Sequence, residues 1–153
     1  MTTPIIEVRG LRELIKRMQA FPQQMEAAAK TTMDAALLTL WENVPEYPDP
    51  PQNSTYRRTG TLGRTLGSSE AGGKGGKPDV YLTRKLGGGN IEGRFGTKLE
   101  YAPYVIGDDT QADVHKGRWW TMKTIAENAS EKIERLFNTL ADKLAAFLER
   151  QNG

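Results

Sequence analysis

The residues best suited to metal binding or acid–base chemistry lie in one short stretch. His115, the only histidine of the chain, follows Asp108, Asp109 and Asp113. One imidazole and several carboxylates are ligands that hard or borderline metals accept. Only Asp109 and Asp113 have the i, i+4 spacing of helix neighbours, and Gly107 favours a turn. The pattern is more typical of a solvated acidic turn, so the sequence predicts no metal site.

Other familiar catalytic patterns also fail on spacing. A Walker loop needs glycine, four residues and then Gly-Lys-Ser/Thr, but Gly73-Lys74 is followed by Gly75, and Ser68 stands five positions before Gly73. The stretches "GGKGGKP" and "GGGNIEG" do not fit the dinucleotide pattern GxGxxG. The segment "LGSSEAGG" is too flexible to preorganise a nucleophilic serine, and the chain has no cysteine. We therefore expect no enzymatic activity, no cofactor and no small-molecule substrate.

The aromatic residues are more informative than the titratable ones. Tyr101, Tyr104, Trp119 and Trp120 lie within twenty residues of one another. Adjacent tryptophans do not both face one small core comfortably, so the sequence predicts that one indole is buried and the other meets a groove or a partner. Two alternatives are that both cover the core beneath a loop, and that the aromatics stack on nucleic-acid bases.

Composition and charge are those of a single globular domain spanning residues 1–153. Residues 56–98 hold nine Lys/Arg against three Asp/Glu, a net charge of +6, whereas the remainder holds 12 basic and 16 acidic residues, a net charge of −4. The basic segment could be solvated loop, or it could face nucleic acid or an acidic patch on a neighbouring subunit. No apolar run approaches the ~20 residues that span a bilayer, and the amino terminus does not resemble a secretory signal.

The amino-terminal third predicts one strand and two helices. Residues 5–8 indicate a short edge strand, and residues 11–18 have helical spacing that ends before Phe21-Pro22. A longer helical pattern over residues 25–44 ends there because Pro45 disfavours helical geometry in the residue before it.

The middle of the chain is rich in proline and glycine. Residues 45–60 form a Pro/Gly-rich arm whose prolines are expected to hold it extended and solvated. Residues 60–66 fit a short helical turn or the start of a strand, and residues 67–78 have the composition of a flexible loop. Residues 79–86 and 91–98 are strand-like runs separated by "GGGN", which predicts a β-hairpin.

The carboxyl-terminal third carries the clearest periodicity. Thr124 and Glu127 have capping-box spacing at the start of a predicted helix of six or seven turns. Its apolar stripe consists of Ile133, Phe137, Leu140, Leu144 and Phe147. Heptad spacing could serve a partner helix, but we expect packing on the chain's own sheet and amino-terminal helix. The predicted fold is α+β, with amino-terminal helices, a small antiparallel β-sheet with a hairpin, and a long carboxyl-terminal amphipathic helix.

The order of these segments resembles a known family. The stretches "VRGLRELIKRM", "YRRTGTLGRTL" and "YAPYVIGD", with a hairpin before the last and a final helix after it, are similar to the head–tail joining and tail-completion proteins (minor tail or neck proteins) of long-tailed double-stranded DNA phages. The family's Thr-Gly-x-Leu segment is matched by Thr59-Gly60-Thr61-Leu62, and its Tyr-Ala-x-Tyr-Val stretch by Tyr101-Ala102-Pro103-Tyr104-Val105. The chain departs from the family at Ile106-Gly107-Asp108 and at "HKGRWWTM".

The resemblance implies a structural virion protein of the neck or tail, assembled in the host cytoplasm. Such proteins form homo-oligomeric rings, commonly hexameric, between portal-side adaptors and tail-tube or tail-terminator proteins, and DNA passes through the ring without specific binding. We expect the basic segment to meet acidic neighbours, since a strongly attractive wall would hold a translocating polymer. The alternatives are a nucleic-acid-binding regulatory protein that uses the basic middle segment, and a small hydrolase or metalloenzyme that uses His115.

The residues expected at partner interfaces combine the arm with the aromatic set. They are Tyr56, Arg57, Arg58, Thr59, Leu62, Arg64, Tyr101, Tyr104, Trp119 and Trp120.

Overall fold

A computed structural model of the chain describes residues 5–10, 23–54, 62, 66, 80–81, 91–97 and 99–152. Along these residues the first helix follows one strand, two further strands and a short helix come next, and the longest helix comes last. In chain order the elements are β1 (Ile5–Gly10), α1 (Gln23–Glu42), β2 (Val80–Tyr81), β3 (Ile91–Gly96), α2 (Ala102–Ile106) and α3 (Met122–Asn152).

Helix α1 forms on the apolar pattern that predicts it. Its buried residues Ala29, Met33, Leu37 and Leu40 recur every three or four positions and share one helix face. The last turn tightens, because the amide of Val44 donates to the carbonyl oxygen of Trp41 at 3.3 Å. The helix thus ends at Glu42, within two residues of the predicted end.

The strands pair along both edges of β3. Strand β1 runs antiparallel to β3 with Ile6 opposite Phe95, and β2 runs antiparallel on the other side with Val80 also opposite Phe95. Strand β3 packs directly against α1: a Cβ atom on Gly93 would lie 2.5 Å from the Sδ atom of Met33. The strand face that carries Gly93 and Phe95 is therefore turned towards the helix, as the alternation of residues 91–95 predicts.

Helix α3 packs along α1 and closes the core. Phe137, Leu140 and Leu144 of its predicted apolar stripe are buried, whereas Ile133 and Phe147 at the two ends are half-buried. The Nζ atom of Lys132 lies 3.4 Å from a carboxylate oxygen of Glu42, which joins the two helices at the surface. This exposed pair adds little stability, so the apolar stripe provides most of the helix–helix attraction.

The predicted mixture of helices and strands with a long carboxyl-terminal helix is confirmed. The predicted helix over residues 11–18, the loop over residues 67–78 and the turn of the hairpin at residues 87–90 lie outside the described residues. The hairpin and the small antiparallel sheet as a whole therefore stay predictions. Over the described ranges, the helices include none whose length and hydropathy would suit a membrane crossing.

Candidate partner interface

A loop of residues 107–121 is held on the short helix α2 by polar contacts. The hydroxyl of Thr110 donates to the carbonyl oxygen of Pro103 at 2.6 Å, and the amide of Ala112 donates to the carbonyl oxygen of Tyr104 at 2.7 Å. The side-chain amide of Gln111 donates to the carbonyl oxygen of Val105 at 2.8 Å. Three consecutive loop residues thus satisfy three consecutive carbonyl groups of α2, which fixes the loop's position.

The far end of the loop is joined to the start of α3. The amide of Thr121 donates to the hydroxyl oxygen of Thr124 at 3.1 Å, and a carboxylate oxygen of Asp108 accepts the amide of Lys123 at 2.8 Å. Both bonds satisfy amides at the helix amino terminus. The predicted capping box of Thr124 with Glu127 is therefore wrong, because the helix already begins at Met122. The hydroxyl oxygen of Thr124 instead accepts from the amide of Thr121, which directly precedes the helix.

Two exposed tyrosines lie in a stretch of chain that also carries several exposed carboxylates. The side chains of Tyr101 and Tyr104, one helical turn apart, are 44% and 46% exposed. Glu100 precedes the first tyrosine, and Asp109 and Asp113 flank the loop residues that are bonded to α2. We call Glu100, Tyr101, Tyr104, Asp109 and Asp113 the acidic–aromatic surface.

The acidic–aromatic surface has an uneven electrostatic character. Residues 99–115 contain four Asp/Glu and no Lys or Arg. The ammonium group of Lys116 lies 2.8 Å from a carboxylate oxygen of Asp113, and its hydrogen bond and charge lower the pKa of that carboxyl. Within the described part of the chain, Glu100 and Asp109 take part in no ion pair. Glu100 and Asp109 therefore carry negative charge that no ion pair offsets among the described residues, whereas the charge of Asp113 is paired with Lys116.

The tryptophan pair has a different arrangement, because it holds the proline-rich strap of the same chain. The ring of Trp119 lies 5.1 Å from that of Tyr47, measured between centroids. The indole N–H of Trp120 donates to the carbonyl oxygen of Glu46 at 3.0 Å. A guanidinium nitrogen of Arg118 donates to the carbonyl oxygen of Asp49 at 3.3 Å. We call these contacts between residues 46–49 and 118–120 the strap clamp.

The strap clamp corrects two predictions from the sequence. Both Trp119 and Trp120 are half-buried and pack against the core, so the prediction that one of them is buried is wrong and the alternative that both cover the core fits better. That one of them also meets a partner stays a prediction.

The predicted solvated arm of residues 45–60 is wrong at its start, because Pro45, Tyr47 and Pro48 are partly buried. Residues 49–54 are exposed as predicted, and residues 55–60 lie outside the described residues. The physical reason is that the prolines keep the strap out of helix or strand, so its backbone carbonyl groups need other donors. The indole N–H of Trp120 is such a donor, and the ring of Trp119 packs on that of Tyr47.

The remaining predicted interface residues divide into two groups. Leu62 is 3% exposed and belongs to the chain's own core, as does Leu66, whose amide donates to the carbonyl oxygen of Leu62 at 3.1 Å. This i, i+4 bond between the two described residues is of the kind that a helical turn makes, and the other residues from 60 to 65 lie outside the described residues. The other group lies outside the described residues and consists of Tyr56, Arg57, Arg58, Thr59 and Arg64.

The histidine is used for packing. The ring of His115 meets that of Trp119 edge-on at 6.1 Å between centroids, and its Nδ1 atom is buried without a hydrogen-bond partner. Burial, and secondarily the charge of Arg118, lowers the pKa of His115 below its ordinary value of 6.5. Among residues with described side chains, no three His, Asp or Glu groups converge in a way that could hold a metal ion.

Sequence reasoning missed Tyr47 and the strap carbonyls as partners of the tryptophans. An aromatic residue placed between two prolines, as in "PEYPDP", was the available signal that the strap has a packing partner. Comparisons with protein-family models, curated protein sequences and solved structures give no match for this chain. Function is therefore inferred from the arrangement of the chain's own residues together with the resemblance of its motifs.

Proposed function

We propose that the chain is a structural protein of a phage neck or tail, which forms a homo-oligomeric ring that joins or completes the head–tail interface. The observation that carries the proposal is the placement of Tyr101 and Tyr104. Both belong to the stretch "YAPYVIGD" that resembles the family, and both stay nearly half exposed at the start of and within helix α2, on which the loop of residues 107–121 is held. Tyrosines in such a position are suited to anchor a protein–protein contact at low cost in side-chain entropy.

The backbone around these tyrosines supports an assembly role rather than a chemical one. Hydrogen bonds from Thr110, Gln111 and Ala112 hold the loop in place before any partner binds. A prearranged surface loses less conformational freedom on association, which favours binding. The proposal includes the predicted small antiparallel sheet with a hairpin between β2 and β3, which the pairings of both strands support.

The test is to delete the gene from the phage genome that encodes the chain. We expect heads and tails to accumulate unjoined, and the wild-type gene supplied in trans to restore joined particles. Mass spectrometry of purified particles should then detect the chain in a fixed ratio to the tail proteins. Joined particles that form without the chain, or purified particles that lack it, would overturn the proposal.

The nucleic-acid-binding alternative stays a prediction, since most of the basic residues from 56 to 98 lie outside the described residues. Salt-sensitive binding of purified protein to duplex or single-stranded DNA is the result that it requires.

A further inference from the structure

The acidic–aromatic surface has a chemical complement elsewhere in the same sequence. Residues 56–64 ("YRRTGTLGR") contain three arginines and no acidic residue, whereas residues 99–115 contain four acidic residues and no Lys or Arg. Arginine binds carboxylates through a planar, bidentate group and also stacks on aromatic rings. A surface that places carboxylates beside tyrosines is therefore well matched to an arginine-rich segment.

Exposure indicates that this surface is open to a partner. Tyr101 and Tyr104 keep 44% and 46% of their accessible area in the isolated chain. Glu100, next to the first tyrosine, and Asp109 are exposed as well. Charged groups around the two tyrosine rings would mainly increase the specificity and the association rate of an interface, and would increase its affinity less.

We infer that the acidic–aromatic surface of one copy binds the basic segment of residues 56–64 of a second copy. The contact joins two different surfaces, so each copy offers one of each and the association continues from copy to copy. An arrangement of this head-to-tail type closes into a ring when the rotation between copies permits. The inference rests on the proposed function and names the subunit contact that the ring would use.

The segment is attached to the body that presents it. Leu62, within the segment, and Leu66, just after it, are buried in the core of their own chain, and the strap clamp holds residues 46–49 before it. The arginines at positions 57, 58 and 64 are thus carried by a segment that has buried leucine anchors. Such a segment loses less freedom on binding a second copy than a free tail does.

Charge reversal in two separate variants tests the contact. The variant D109K/D113K reverses the acidic–aromatic surface, and the variant R57E/R58E reverses the basic segment. Each variant alone should associate at least about tenfold more weakly than the wild type, because like charges then face each other. An equimolar mixture should regain association, since the reversed surface of the first variant then meets the reversed segment of the second, and the unreversed surface of the second meets the unreversed segment of the first. Sedimentation velocity and mass photometry of full-length protein measure the assembled fraction.

Matched controls separate the contact from general effects of charge and hydrophobicity. The variant E134K/E149K reverses two exposed carboxylates of α3 and should associate like the wild type. Leu38→Ala removes an aliphatic side chain on α1 that is 47% exposed, nearly the same exposure as that of Tyr104. Tyr104→Ala should weaken association at least about tenfold, whereas Leu38→Ala should not. Thermal melting of every variant checks that it is folded.

The possible outcomes are distinct. Restored association in the mixture supports the contact between copies. The contact is overturned if D109K/D113K and R57E/R58E each assemble normally, or if the wild type is monomeric at all concentrations. It is also overturned if the mixture stays dissociated although a single chain that carries all four substitutions assembles. The gene-deletion test has a separate readout, so a chain that is required for joined particles can keep the proposed function even when this contact fails.

Discussion

The strap clamp and the acidic–aromatic surface both contain aromatic side chains, but these side chains pack within the chain in the first and are nearly half exposed in the second. In the strap clamp, Trp119 and Trp120 contact each other at 5.9 Å between centroids, and both contact the strap. In the acidic–aromatic surface, Tyr101 and Tyr104 remain exposed although their backbone is held by the loop. Aromatic residues close together in sequence therefore differ in burial: the proline-rich strap packs on the indoles, whereas Tyr101 and Tyr104 stay 44% and 46% exposed.

The comparison separates stability from association. Side chains of the strap clamp are part of the folded body, so their removal should lower the free energy of unfolding. Side chains of the acidic–aromatic surface are nearly half in water, so their removal should leave folding almost unchanged.

Replacing Trp119 by alanine should destabilise the chain by about 2–3 kcal/mol, since the ring contacts of Tyr47, His115 and Trp120 are all lost. Tyr104→Ala is the matched control, and its effect on unfolding should stay below about 0.5 kcal/mol. Urea unfolding of both variants at low protein concentration measures the two values. Equal effects would break the distinction between the two regions.

Replacing Trp120 by phenylalanine keeps most of the apolar ring but removes the indole N–H. The hydrogen bond to the carbonyl oxygen of Glu46 is then lost, which should cost about 1 kcal/mol. Urea unfolding measures the change, and faster exchange of the backbone amides of Glu46, Tyr47 and Asp49 should accompany it. A variant as stable as the wild type would show that the strap does not depend on this bond.

Replacing Asp108 by alanine should lower stability by about 0.5–1 kcal/mol, because the carboxylate accepts the amide of Lys123 at the start of α3. Asp109→Ala removes the adjacent carboxylate, which caps no helix in the described chain, and should change stability by less than about 0.5 kcal/mol. Circular dichroism during urea unfolding follows both variants. A larger loss from Asp109 than from Asp108 would contradict the assigned cap.

The smallest effect concerns pH. Because burial lowers the pKa of His115, the unfolded chain binds a proton at a higher pH than the folded chain does. Stability from this group is thus fully present above its ordinary pKa and is lost as pH falls through the lowered value. Unfolding at about pH 7.5 and about pH 5 should show a smaller decrease for His115→Gln than for the wild type. Since the chain has no other histidine, an unchanged decrease would remove His115 as its source.

The sequence predicts well those elements that depend on local periodicity. The apolar positions of α1 and the stripe Phe137, Leu140 and Leu144 of α3 are buried as expected, because helix spacing alone places them on one face. The end of α1 is predicted within two residues because Pro45 acts on its immediate neighbour.

Features that depend on distant contacts could not be predicted. The bond from Trp120 to Glu46 spans 74 positions, and no local pattern indicates it. The start of α3 shifts to Met122 because Asp108, from an earlier turn, satisfies a helix amide. In the candidate interface, the sequence identifies Tyr101 and Tyr104 by type, but only the folded loop shows that they stay exposed while Leu62 is buried.

Gly93 lies so close to Met33, 60 residues earlier in the sequence, that the residue at position 33 limits which residues fit at position 93. Any β-carbon at position 93 requires the space that the methionine sulfur now fills, and the side chain of Leu37 borders the same space at 3.2 Å. A library that randomises position 93 alone should return almost only glycine. One that randomises both positions should recover alanine at 93 together with smaller residues at 33, so the residue tolerated at position 93 depends on the residue at position 33.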